Sequence, residues 1–461
     1  MIRRDFFLST LTGQPNLTLI KSSRDLEGYF QRFSKKPEAR KIGLEAEFLG
    51  VDALTGKSLI FQGSCGLEAI LGRFAKRFSY TLLKDQNALI GVQAPDGTVV
   101  GFEPGGQLEL SAPPVQTIFE VERQLQKFFD QLRTFRCECQ EVRWLSVGIH
   151  PFSRLDEITW IPKTRYRILA EFLSTRGKLS HHMMKRTATN QINFDYTSEE
   201  DAMEAMRVAF GITSIVSAVF AHGSFSEGKP NGFASERLHI WNQTAPERSG
   251  LLVRFTHEGA TFQDYLDYVL DVPMIFAVRE SKWIPMNGLP FRRFIQDGYQ
   301  GLSATLSDFE LHLSTMFPEV RFKQYMEIRG MDAQRPQFIS SLAAFWKGIL
   351  YDQKARAEAW KRVRNFSDEE RLVLHHEIPL KGLQAVVQGK PINFLAAELV
   401  SIAREGLQRQ SRTKEEDESV FLLPIEQRLA SSQKSPAEIL LHEWQTDLGK
   451  DKLRLMDFLS I

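Results

Sequence analysis

The chain has 461 residues, of which 43% are hydrophobic and 25% charged, with 58 Lys+Arg against 57 Asp+Glu. These fractions exclude global disorder, and a net charge of +1 excludes bulk attraction to nucleic acid or to an anionic membrane. Three cysteines exclude a disulfide scaffold and fit a reducing compartment.

The N-terminus reads MIRRDFFLSTLTGQPN, and its run FFLSTL is too short for a signal-peptide core. No segment approaches the roughly 18–20 apolar residues of a membrane helix. The expectation is a soluble, cytoplasmic protein with no membrane or nucleic-acid partner. Ser22–Phe33 predicts a short amphipathic helix with Leu26, Tyr29, Phe30 and Phe33 on one face. Lys41–Gly50 alternates as a strand, and Val99–Ser111 forms a second strand region broken by Pro104-Gly105-Gly106. Ile118, Val121, Leu125, Phe128, Leu132 and Phe135 recur at helical spacing. Arg143–Gly148 reads as a strand, Tyr166–Leu173 as a short helix and Thr187–Asp195 as a strand. Glu199–His222 is a long helix, with Ala209–Phe220 as its buried part, and the loop His222–Phe233 follows it. Gln324–Arg329 is another strand candidate. From Phe338 the pattern is almost wholly helical, with Gln408–Glu418 as a charged loop. Strands and helices without βαβ regularity predict an α+β fold.

Four strand candidates put acidic residues on one face. Side chains alternate with period two, so Ile42, Leu44, Ala46 and Phe48 oppose Glu45 and Glu47. Ile192 and Phe194 oppose Gln191, Asn193 and Asp195. Met326 and Ile328 oppose Glu327 and Arg329, while Leu108 and Leu110 oppose Glu109; Glu103 precedes the Pro-Gly-Gly bend. An antiparallel sheet often has one wet face. Glu, however, has weak strand propensity, and converging carboxylates repel. Hard divalent cations relieve that repulsion, and Mg²⁺ keeps positions for water and phosphate. The acidic face therefore points to a phosphorylated substrate. Arg165, Arg186, Arg237 and Arg329 are its basic counterparts, suited to carboxylate or phosphate.

Other features carry less. Gly50–Ser58 has one residue too many between its glycines for a phosphate loop and reads as a hairpin connection. Cys137-x-Cys139 lacks the second pair a metal site needs, and Cys65 lacks a His–acid partner.

The motifs IGLEAEF (Ile42–Phe48), FEPGGQLELSAPP (Phe102–Pro114), PKTRY (Pro162–Tyr166), MMKRTATNQINFD (Met183–Asp195), FSEGKPNGF (Phe225–Phe233), RLHIW (Arg237–Trp241), DYVLDVPM (Asp267–Met274), MFPEVRFKQYMEIRG (Met316–Gly330) and LAAFWKGILYD (Leu342–Asp352) occur in this order. Together they resemble the glutamate–cysteine ligase family of plant and proteobacterial type. The resemblance implies a curved antiparallel sheet forming a glutamine-synthetase-like cradle, with surrounding helices. It divides the chain into a catalytic ligase domain at 1–352 and a helical C-terminal extension at 353–461 packed on it.

The resemblance also implies ATP-dependent joining of the L-glutamate γ-carboxylate to the amine of L-cysteine through a γ-glutamyl phosphate. The product is γ-glutamylcysteine, the first step of glutathione biosynthesis. A related ligase with another amine acceptor, or one serving another thiol pathway, is the alternative. A Mg²⁺-dependent phosphohydrolase and a non-catalytic binding relative are further readings. On the ligase reading Glu45, Glu47, Glu103, Glu109 and Glu327 hold about two or three Mg²⁺ ions. Gln191 and Asn193 touch the nucleotide, and Arg329 stabilises the transferring phosphoryl group. Glu327 and Arg329 form the catalytic pair, while Arg165, Arg237 and Arg186 hold substrate glutamate. The loop Ser226–Phe233 borders the pocket or is a tight connection. ATP is co-substrate, and the enzyme is a monomer or homodimer. Ala188 and Met286 stand where plant chains can carry cysteine, which argues against a plant-like disulfide switch. Ile275 stands where they carry an aromatic residue, at a place expected to shape the acceptor pocket.

Overall fold

The computed structural model describes residues 16–136 and 142–461. Its centre is β1 (Ile42–Asp52), whose apolar positions alternate as the pattern predicts. The chain continues through α1 (Leu67–Phe78), β2 (Thr81–Asp85), β3 (Ala88–Gln93), β4 (Val99–Phe102) and β5 (Leu108–Ser111). Then come α2 (Ile118–Arg136), β6 (Val142–Leu145), α3 (Thr164–Ser174), α4 (Ser180–Arg186), β7 (Asn190–Phe194), α5 (Glu199–Val219) and α6 (Glu236–Trp241). The last strands of the main sheet are β8 (Val320–Phe322) and β9 (Met326–Ile328). Behind them follow α7 (Pro336–Leu350), α8 (Asp368–Lys381) and α9 (Asn393–Gln410).

Nine strands form one open antiparallel sheet in the order β8-β9-β7-β1-β5-β4-β3-β2, with β6 also paired to β1. This is the α+β cradle expected from the sequence. β1 places Glu47 opposite Glu109 of β5 and Glu45 opposite Gln191 of β7. β9 places Glu327 between Asn193 of β7 and Arg321 of β8. The greasy side of β1 packs on helices, with Phe48 5.8 Å from the rings of both Phe128 and Phe129 on α2. One main core runs from Ile20 to Leu429 and so includes side chains of α7, α8 and α9. A second cluster joins Leu49, Leu145, Ala188 and Ala333 to Leu440, Trp444, Leu455 and Leu459. The chain end closes on β6, with the Ile461 N–H donating to the Trp144 carbonyl at 3.1 Å.

Three sequence expectations change. Ser22–Phe33 is two 3₁₀ turns, Ser23–Leu26 and Phe30–Phe33. Gly28 lies mid-segment, and each flanking run is too short to offset helix nucleation. Secondly, α5 is long and apolar enough by length and composition to cross a membrane, against the expectation of no such segment; 83% of its most apolar window is buried in this fold. Thirdly, Cys65 is disulfide-bonded. A low cysteine count excludes a scaffold, not a single bond. Cys137 and Cys139 lie outside the described residues. Gly50–Ser58 is a tight connection, closed by the Asp52 N–H on the Lys57 carbonyl at 2.8 Å.

Buried histidines give the fold an acid sensitivity. His312 is 2% exposed, stacks on Phe291 and donates from Nε2 to the Val269 carbonyl at 2.8 Å. Its Nδ1 has no partner. Burial pushes its pKa down to about 3 from 6.5. Below about pH 6.5 the unfolded chain takes up a proton there and the folded chain does not, so stability falls with pH. Against His312→Asn, the wild type should lose about 1.4 kcal/mol more between about pH 7.5 and 5.5. Paired unfolding curves check this, and a pH-independent difference would refute a neutral His312.

Candidate active site

A cleft of about 180 Å³ opens on the acidic face of the sheet. Glu45 and Glu47 from β1, Glu103 from the bend after β4, and Glu109 from β5 line one side. Arg165, Arg237, Arg321, Lys323 and Arg329 line the rest, with Gln191 between. The alternation of β1 and its pairing with β5 create this meeting of carboxylates.

The acidic side is electrostatically loaded. Burial pushes the Glu47 carboxyl up to about 8, with Glu103 adding to the rise and Arg237 opposing it. Burial and then Glu103, Glu45 and Glu47 push Glu109 well above the usual carboxylate range. Burial and Glu327 also raise Glu45, against Lys323. Glu47 accepts from the Thr189 N–H at 3.1 Å, and Glu45 accepts from Asn193 Nδ2 at 3.1 Å. Glu103 accepts from the Tyr166 hydroxyl at 3.1 Å. These oxygen-only donors fit Mg²⁺ in kind. Among the described residues no three His, Cys, Asp or Glu form a ready-made metal-binding group. The carboxylates line an open cleft.

The basic side carries unspent donors. Nε of Arg165, Arg237 and Arg329 is buried and unpartnered. Arg237 donates to the Arg329 and Gly330 carbonyls at 2.9 and 3.2 Å. Arg329 donates to Gln191 Oε1 at 2.5 Å and to Glu327 Oε1 at 2.7 Å. A buried guanidinium with a free donor suits an incoming carboxylate or phosphate.

Three expected site residues sit elsewhere. Glu327 is wholly buried outside the cleft lining, and both oxygens are held by Arg321, Lys323 and Arg329. In this arrangement its oxygens are taken up by three cations, which makes it their counter-ion behind the cleft. Arg186 also lies off the cleft, donating to Ser226 Oγ at 2.9 Å and to Glu236 at 3.3 Å. It ties the loop after α5 to α6, and that loop does not border the cleft. Asn193 stands behind Glu45, where it orients the carboxylate; only Gln191 of that pair reaches the cleft. Ile275 and Met286 are in the main core, and Ala188 is in the second cluster.

Sequence reasoning missed Arg321, Lys323 and Lys163. The alternation Val320-Arg321-Phe322-Lys323 carried the signal for the first two. Lys163 donates to the Phe102 carbonyl at 2.5 Å and to the Tyr166 hydroxyl at 2.9 Å. Burial pushes its pKa down to about 7, against the pull of Glu103.

An open antiparallel cradle whose carboxylates face several arginines suits an enzyme site for an anionic, phosphorylated substrate. Residues 41–452 match the model of glutamate–cysteine ligase family 2. The chain belongs to this family. It is 34% identical over 428 residues to glutamate–cysteine ligase B, chloroplastic, of Oryza sativa subsp. japonica, covering 92% of this chain and 84% of that one. It is 32% identical over 429 residues to the chloroplastic glutamate–cysteine ligase of Arabidopsis thaliana, covering 92% and 80%. A solved glutamate–cysteine ligase of Francisella tularensis in complex with AMP shares the fold, with a TM-score of 0.58 over 92% of this chain and 89% of that one at 13% identity. The chloroplastic relatives overturn the cytoplasmic expectation. A short apolar run near the start of the sequence does not separate these compartments, because plastid transit segments are Ser- and Arg-rich.

Proposed function

We propose that the protein joins L-glutamate to L-cysteine with ATP, giving γ-glutamylcysteine, ADP and phosphate. Family membership supports the reaction, and the opposition of carboxylates and arginines across one cleft carries the mechanism. A free carboxylate is a poor acyl donor, so the γ-carboxylate is first phosphorylated and the cysteine amine then displaces phosphate. Phosphoryl transfer asks the protein mainly for positioning and positive charge. Glu45, Glu47, Glu103 and Glu109 would hold Mg²⁺. When bound, that ion neutralises phosphate charge and orients the γ-phosphoryl group.

The remaining tasks fall to side chains already in place. Arg329, fixed by Gln191 and Glu327, faces the transferring phosphoryl oxygens. Arg237 and Arg165 take the glutamate carboxylates through their free donors. Gln191, which lines the same cleft, is assigned to the nucleotide phosphates. Leu169, Leu173, Met183, Met184 and Phe317 form an apolar wall that suits the small thiol side chain of the acceptor.

ADP release with ATP, Mg²⁺, glutamate and a panel of amines tests the reading. Turnover is expected with cysteine, and turnover without any amine would point to a phosphohydrolase instead. Gly105 offers a geometric check. A Cβ there would lie 2.2 Å from the Lys185 carbonyl oxygen and 2.6 Å from its Cα, both backbone atoms. Gly105→Ala should displace the bend that carries Glu103 and lower kcat by about 100-fold, the scale of an ångström-sized misplacement. A normal kcat would show that the position of Glu103 is not critical.

A further inference from the structure

Behind the arginines lies a carboxylate that the mechanism does not use. Glu319 is 5% exposed and outside the cleft lining. Its carbonyl accepts from the Arg329 N–H at 2.9 Å, and its own N–H donates to the Gly250 carbonyl at 3.1 Å. Its Oε2 has no hydrogen-bond partner. That atom occupies the place of a side chain on Gly330: a Cβ there would lie 1.8 Å from it and 3.2 Å from Thr213 Oγ1. Gly330 is the residue whose carbonyl accepts from Arg237. Glu319 is thus packed against the peptide that anchors the arginine, on the side away from the cleft.

The neighbours leave its charge to the arginines. His375 of α8 places Nε2 4.0 Å from Glu319 Oε1, and its Nδ1 lies 3.0 Å from Ser214 Oγ. Burial pushes His375 down to about 3, so the ring is neutral and cancels nothing. Asp332 accepts from the His222 N–H and the Ser235 hydroxyl, both at 2.8 Å, and adds a second buried acid. Burial raises the Glu319 carboxyl, while Arg237 and then Arg329 hold it down. Glu319 and the two guanidiniums share no hydrogen bond, so they act on each other through a poorly screening interior.

We infer that Glu319 is a positioning residue that limits how strongly Arg237 binds anionic glutamate. The inference rests on the reading that Arg237 holds a glutamate carboxylate. With only Glu327 to balance them, the two buried arginines would grip substrate and transition state alike, which lowers KM without raising kcat. A negative charge fixed behind them keeps that grip moderate and lets the buried cations persist.

Glu319→Gln keeps the shape and removes the charge. The glutamate KM should fall about three- to tenfold, with kcat little changed and the ATP KM moving less. A loosened site would raise the KM, so a fall separates charge from architecture. Glu319→Asp draws the charge back by one methylene and should land between wild type and the Gln variant. It carries the test alone if the Gln variant does not fold. An unchanged or raised glutamate KM in the folded variants overturns the inference. Absence of glutamate- and cysteine-dependent ADP release by the wild type would instead sink the ligase reading.

Discussion

Glu327→Gln should destabilise the protein by about 3–5 kcal/mol, the cost of removing one partner from a buried charge cluster. Arg321 grips Glu327 bidentately from the facing strand, Nε to Oε2 and Nη2 to Oε1, both at 2.8 Å. Lys323 lies 3.1 Å from Oε2, and Arg329 donates to Oε1 at 2.7 Å. Burial alone would raise the pKa of this carboxyl, but the three cations outweigh it and hold Glu327 well below the usual range. A neutral amide strands those cations in the interior and releases Arg329 from its aim. Activity should fall by about 100-fold or more, from misplacement of a phosphoryl-facing group. The thermal midpoint and ADP release should therefore fall together. Adding Arg321→Met should return part of the lost stability, since it removes one stranded charge. An unchanged midpoint in the single variant would refute the counter-ion role.

The acidic half of the site was legible because period two forces Glu45 and Glu47 to one face of a strand whose other face is wholly apolar. What alternation does not encode is depth. Glu327 obeys the same period as Glu47, yet its strand is flanked by Arg321 and not by another acid, so it closes into a salt cluster. The signal for Arg321 was present but short, because β8 has only three residues. Arg186 and Arg237 both read as substrate arginines in the sequence, Arg186 the weaker of the two. They separate only through the path of the chain, which gives Arg186 a nearby Glu236 and gives Arg237 two backbone carbonyls. Ser22–Phe33 failed for a local reason, since an apolar stripe does not form an α-helix when the segment is too short to offset nucleation. For the C-terminal helices the sequence supplied only an extension packed on the catalytic domain, not where it packs. α8 and α9 share the main core, and residues after Pro436 brace β6, with Ala188 and Ala333 in the same cluster.

That bracing matters because Ala188 lies between Thr187 and Thr189, which line the cleft, and the Ala333 N–H donates to the Ala188 carbonyl at 3.0 Å. The cleft's rear wall is thus built from segments distant in sequence, and backbone carbonyls hold Arg237 where side chains hold Arg329. Arg237 is the clearest case. It is 3% exposed, two of its five N–H groups are spent on the Arg329 and Gly330 carbonyls, and Nε is one donor left over. Arg237→Ala removes that donor, the buried charge and the support of the 329–330 peptide together. Loss of one partner in a buried, charge-assisted contact costs about 2–5 kcal/mol, which corresponds to a rise of roughly 30- to several-thousandfold in the glutamate KM. Arg237→Lys should recover only a small part, because a single ammonium cannot span two carbonyls and a carboxylate. The ATP KM should move much less. Initial rates at saturating ATP and cysteine check this, and an unchanged glutamate KM in Arg237→Ala would remove the residue from the glutamate site. The opposite signs expected for Arg237→Ala and Glu319→Gln make the pair diagnostic. One withdraws the charge that holds glutamate and the other withdraws the charge that restrains it, so general damage to the fold cannot produce both.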